Sequence, residues 1–122
     1  MAKTILIVDD SASLRQLACI VLKRAGYEVI EACDGSDALA KLDGRKVHLI
    51  ISDVNMPNMD GLTFVKHLKN MPEYKFMPIV MLSMDSYEIS LQEARETGAK
   101  AWMVKPFTAE KLLDTVSRFV QP

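Results

Sequence analysis

From one end to the other the chain alternates short apolar runs with longer stretches of helical period, and that alternation limits its fold more than any single motif does. Runs at 4–8, 27–31, 48–52, 78–82 and 101–104 read as strands. Three of them are almost unbroken apolar runs, as burial on both faces requires. The second, Tyr27-Glu28-Val29-Ile30-Glu31, is more polar and suits a sheet edge. Between the runs, Leu14, Leu17, Ala18 and Val21 fall at helical spacing, with Ser13 and Gln16 spaced as a capping box and Gly26 placed as a left-handed stop. A second helix is predicted over 36–42, ending at Gly44, and a third over 62–69. The last is opened by Thr108 and carries Leu112, Leu113, Val116, Phe119 and Val120 on one stripe. The stretch 87–97 offers only Leu91, Ala94 and either Tyr87 or Ile89 as core-facing groups, which predicts a weakly anchored helix.

Five βα units with a polar second strand predict one doubly wound α/β domain over 1–122, its parallel five-stranded sheet in the order 2-1-3-4-5. In such sheets ligands sit beyond the carboxyl ends of the strands where the order reverses, here strands one and three. A composition of 49% hydrophobic and 25% charged residues supports one continuous core. Fifteen Lys and Arg against sixteen Asp and Glu give a formal net charge of −1, so no overall basic field exists to hold nucleic acid or anionic lipid. Cys19 and Cys33 lack metal or redox spacing and are expected to be small, reduced, buried thiols. No apolar run approaches membrane-spanning length, and the start shows no signal-peptide core, so a cytoplasmic monomer without nucleic-acid or membrane partners is expected.

Asp9 and Asp10 follow the first strand, while Asp53 follows the third with Asn55 two residues later. Alone, an Asp-Asp pair in a loop is a solvated turn or a helix cap. Neighbouring strands change that reading, because three converging acids repel one another unless protonated or neutralised by a cation. The all-oxygen ligand set points to Mg²⁺, with Mn²⁺ as a substitute, and Mg²⁺ commonly bridges carboxylates and phosphate oxygens. A calcium EF-hand loop fails, since the sixth position is Asn58 rather than Gly and Phe64 stands where the bidentate Glu belongs. Ser83 at the end of strand four and Lys105 at the end of strand five bring a hydroxyl and an ammonium to the same rim.

The segments Val8-Asp9-Asp10, Ser52-Asp53, Met56-Pro57-Asn58-Met59-Asp60-Gly61 and Val104-Lys105-Pro106-Phe107 resemble the receiver domains of two-component response regulators. The resemblance covers the whole chain and runs nearest to the stand-alone chemotaxis receivers, whose fold is flavodoxin-like and which carry no output domain. It implies Asp53 as phosphoacceptor, Asp10 and Asp53 as metal ligands, Asp9 assisting through water, and Asn55 contributing its backbone carbonyl. It further implies that Lys105 and Ser83 contact phosphoryl oxygens, that the Lys105-Pro106 peptide is cis, and that Ser83 and Trp102 form the switch. The donor would be a phosphohistidine on a sensor histidine kinase. The output would be a change in the face made by the 87–97 helix, strand five and the last helix, read by a downstream target such as a flagellar motor switch, with a phosphatase as a further partner.

Three positions depart from the common receiver pattern: Ser83 in place of Thr, Trp102 in place of Tyr, and Met84 in place of a small residue. Met84 is expected to shade the site and resist the rearrangement. The domain is expected to be a signalling protein that catalyses its own phosphotransfer and dephosphorylation rather than an enzyme acting on free metabolites. Alternatives are a phosphorelay carrier, a Mg²⁺-dependent phosphatase with an Asp nucleophile, and a flavin-binding module. The phosphatase lacks a second acid and a cap, and the flavin reading lacks a Ser, Thr and Gly phosphate cradle.

Overall fold

The computed structural model describes residues 2–54, 56–83 and 98–122. Its strands β1 (Thr4–Val8), β2 (Glu28–Ala32), β3 (Leu49–Asp53), β4 (Ile79–Ser83) and β5 (Ala101–Val104) form one parallel sheet in the expected order β2-β1-β3-β4-β5. Among the described residues the helices are α1 (Ala12–Arg24), α2 (Gly35–Leu42), α3 (Gly61–Lys69) and α4 (Ala109–Ser117). The helix expected over 87–97, with Met84, lies outside the described residues, as does Asn55.

Strand alternation divides the core into two layers. Leu6, Val8, Ile50 and Met81 pack with Ala38 and Leu42 of α2 and Phe64, Val65 and Leu68 of α3. On the other face Ile5, Ile7, Ile51, Val80 and Leu82 meet Ala18 and Leu22 of α1 and Leu112 and Val116 of α4. Thus β1, β3 and β4, buried apart from Thr4, are the three apolar runs, and polar β2 is an edge. Leu113, Phe119 and Val120 also reach the second layer, although α4 itself ends at Ser117. Of the methionines, Met81 and Met103 are buried in the core, and Met56, Met59, Met71 and Met77 pack against the first layer.

Three strands begin one residue later than their sequence predicts. Tyr27 is drawn out of β2 because its ring is buried in the second layer, where its hydroxyl donates to the Val120 carbonyl at 2.6 Å. Pro78 has no N–H to give to a ladder. The shift brings Asp53 and Ser83 inside β3 and β4, so regular backbone pairing holds both residues.

Helix α1 is capped by Ser11 rather than Ser13. The Asp9 Oδ1 accepts the Ser11 N–H at 2.9 Å and tightens the turn after β1, so the helix starts at once and the Ser11 Oγ accepts from Leu14 N–H. Gly26 and Gly44 take positive φ, +102° and +79°, at the stops assigned to them. Cys19 is buried as expected, but Cys33 is exposed, because it lies in the turn between β2 and the Asp34 cap of α2. None of the described helices is long and apolar enough to cross a membrane.

Candidate functional site

Val8 pairs with Ser52 across β1 and β3, so the residues that follow, Asp9 and Asp53, stand side by side where the strand order reverses. Asp9, Asp10 and Asp53 each bring a carboxylate oxygen within 4.8 Å of the others. Asp9 and Asp53 are buried, while Asp10 is exposed.

Two buried carboxylates this close need a counter-charge, and Lys105 supplies one. Its Nζ lies 2.7 Å from Asp9 Oδ2 and 3.0 Å from Asp53 Oδ2. Desolvation is the largest influence on this ammonium and lowers its pKa. Hydrogen bonds and charge from Asp9 and Asp53 together outweigh it and hold the group above the ordinary lysine value. The Lys105 backbone N–H donates to the Ser83 carbonyl at 2.7 Å, and the Lys105-Pro106 peptide is cis. Ser83 is itself buried, at the carboxyl end of β4. The five residues Asp9, Asp10, Asp53, Ser83 and Lys105 therefore all lie on the rim the sequence assigned to them.

Trp102 lies two positions before Val104, the partner of Ser83, and pairs with Met81. Its ring is already half-buried against the first core layer, and its indole N–H is buried without an acceptor among the described residues. An unmade buried hydrogen bond costs about 1–3 kcal/mol, so this placement of the ring leaves a group that another arrangement could satisfy. The two remaining expected site residues, Asn55 and Met84, fall outside the described residues.

Three supports escaped the reading of the sequence. Arg15, on the first turn of α1, donates its guanidinium to the Asp9 carbonyl. Gly61 opens α3 so close to Asp53 that a Cβ there would sit 2.2 Å from the Asp53 carbonyl oxygen. Asp34, the cap of α2, accepts both the Asp37 N–H at 2.8 Å and the Asn58 Nδ2 at 2.9 Å, while Asn58 takes a left-handed φ of +66°. These two donors, in that order, hold the Asp34 carboxyl below its ordinary pKa. The Asp60-Gly61 pair is a turn signal that could have revealed Gly61, whereas the contacts of Arg15 and Asp34 bridge separate elements and leave no local trace.

The donor set tests the expected metal. Carboxylate oxygens alone make up the cluster, with no His or Cys in it, which fits a hard divalent cation such as Mg²⁺ and not a zinc centre. A groove of about 640 Å³ lined by Thr4, Lys23, Tyr27, Glu28, Val29, Ile30, Arg45 and Lys46 lies at the β2 edge, away from the acids.

Comparisons with known proteins bear on the same segments. The chain is 34% identical over 116 residues to Protein PilG of Pseudomonas aeruginosa, covering 95% of this chain and 86% of that one. It is 34% identical to the CAI-1 autoinducer sensor kinase/phosphatase CqsS of Vibrio cholerae and to the phosphate regulon transcriptional regulatory protein PhoB of Escherichia coli, but spans only 17% and 55% of their lengths. The chemotaxis response regulator CheY4 of Vibrio cholerae superposes with a TM-score of 0.92 at 46% identity, covering 98% of this chain and 100% of that one. The response regulator receiver domain matches residues 5–117, from within β1 to the end of α4, and the chain belongs to that family.

Proposed function

We propose that this receiver accepts a phosphoryl group on the Asp53 carboxylate from a phosphohistidine of a sensor histidine kinase, in the presence of Mg²⁺ or Mn²⁺. The observation that carries the reading is the convergence of Asp9, Asp10 and Asp53 on Lys105 at the switch point of the sheet. An Asp53 oxygen attacks phosphorus as the bond from phosphorus to the histidine nitrogen breaks, leaving an acyl phosphate and a free imidazole. Asp9 and Asp10, with Asp53 itself and the Asn55 carbonyl, would hold the cation, which when bound neutralises charge on the transferring group. Lys105 is already beside the acceptor carboxylate and meets a phosphoryl oxygen from its own side. The Ser83 hydroxyl offers a neutral donor to another.

Output follows from differential binding: a phosphoryl group shifts the surface only if it interacts better with one arrangement. Ser83 is the hydroxyl suited to that task, and Trp102 carries the change to the surface of β5 and α4. The indole is already half-buried with its N–H unsatisfied among the described residues, so the gain of an acceptor for that N–H forms part of the switch. Met84 opposes that rearrangement and keeps the active state partly populated until a partner binds. Identity to CheY4 supports chemotaxis as the setting, with a motor-switch component as target.

Intact-mass measurement with acetyl phosphate is the direct test. One phosphoryl group should add when Mg²⁺ is present and be lost with excess chelator and in Asp53→Asn. Labelling that survives Asp53→Asn unchanged refutes the assignment. For the switch, the emission of Trp102, the only tryptophan, should change on phosphorylation and not with Mg²⁺ alone, and Ser83→Ala should abolish the change.

A further inference from the structure

Two features that each oppose stability coincide at the amino end of the sheet, in the segment between α3 and β4. Phe76 leaves 86% of its surface in water, while its neighbour Tyr74 is buried and Met77 packs against the first core layer. The Lys75 ammonium lies over the Phe76 ring, 5.6 Å from its centroid. Lys69 donates its Nζ to the Lys75 carbonyl at 3.2 Å, and burial, followed by the charge of Lys100, pushes its pKa below the ordinary lysine value. Lys75 thus lies over the exposed ring, Lys69 reaches the Lys75 backbone and feels the charge of Lys100, and none of the three has a carboxylate at ion-pair distance among the described residues. Repulsion among like charges and exposure of an aromatic ring are separate costs with a common remedy, an anionic partner that also covers the ring.

We infer that Lys69, Lys75, Phe76 and Lys100 form a docking surface for an acidic segment of a partner protein, with Phe76 as its apolar anchor. Charge complementarity selects carboxylates, and the small size of the cluster selects a short segment. A bilayer or a nucleic acid would meet the whole end of the sheet, including Asp43 and Glu73, whose charges already bear on the Tyr74 hydroxyl. The surface precedes β4, whereas Asp53 and Ser83 close β3 and β4. At about 3.3 Å per residue the five-residue strand separates the two ends by roughly 15 Å, so a partner docked here leaves the acid cluster open. Such docking would tether the domain whatever the chemical state of Asp53.

Amide NMR of the unphosphorylated protein with a short glutamate–leucine peptide tests this directly. Shifts should concentrate at Lys69, Lys75, Phe76 and Lys100, and Phe76→Ala should weaken binding about tenfold or more with the fold unchanged by circular dichroism. Charge reversal in Lys100→Glu should also weaken it, in a salt-dependent way. The proposal is overturned if Phe76→Ala binds as tightly as the parent, or if the shifts fall instead on Lys23, Arg45 and Lys46. It is equally overturned by binding to phosphatidylglycerol vesicles or duplex DNA without binding to the peptide, or by self-association through this face in sedimentation.

Discussion

At the carboxyl end of the sheet three acids lie within 4.8 Å of one another with Lys105 bridging two of them, whereas at the amino end Lys69 lies near Lys75 and Lys100, none of the three with a carboxylate at ion-pair distance among the described residues. Each end holds a cluster of one sign. They differ in solvent access: Asp9 and Asp53 are buried, so their charges must be matched within the protein, while Lys75 and Lys100 are exposed and Lys69 partly so, and water screens them. Crowded like charge inside the fold is balanced from within its own chain, here by Lys105. Crowded like charge on the surface is only partly screened and remains open to another molecule.

Removing the counter-charge should have the largest effect. Lys105→Met strands two buried carboxylates and should cost about 3–5 kcal/mol in urea unfolding without added metal. Mg²⁺ should restore part of that loss, and a variant as stable as the parent in chelator would mean the pair is not what balances the acids. Next in size, Gly61→Ala drives a Cβ onto the Asp53 carbonyl and should destabilise by about 2–3 kcal/mol. Weaker Mg²⁺ binding by calorimetry should accompany it, since the clash displaces the backbone of Asp53.

At the amino end the effects should be smaller. His48 has its pKa lowered by burial first and then by Lys3 and Lys46, and its Nδ1 accepts the Thr4 N–H at 3.0 Å, a bond the imidazolium cannot accept. Its contribution to stability is therefore present above the unfolded histidine pKa of about 6.5 and is lost as pH falls through that value toward the folded one. His48→Gln should flatten the decline of unfolding free energy in that window, and an unchanged slope would assign the decline to other groups. Smallest of all, Lys69→Gln should raise stability by up to about 0.5 kcal/mol, a gain that shrinks as salt is added. A loss of stability in Lys69→Gln would show that its bond to the Lys75 carbonyl outweighs the repulsion, and the contrast between the two ends would narrow.

How much of this was legible beforehand depended on the range of the interaction. The buried strands announced themselves as apolar runs, and Ser83 and Lys105 could be placed at one rim because each ends such a run. The cap of α1 was misplaced by two residues because the decisive bond, Ser11 N–H to Asp9, belongs to the turn and not to the helical pattern. Cys33 was taken for a buried thiol because its small apolar character says nothing about which side of the turn before Asp34 it faces.

The order of the described elements, the doubly wound sheet and the acids at its switch point could be read from the chain alone, because burial on both faces forces a periodicity that survives in one dimension. That Lys105 bridges Asp9 and Asp53, that Asn58 is bound to Asp34, and that Gly61 leaves no room beside the Asp53 carbonyl came into view only with the folded chain. These contacts join residues on separate elements, and their distances are set by how the two core layers pack rather than by spacing along the chain.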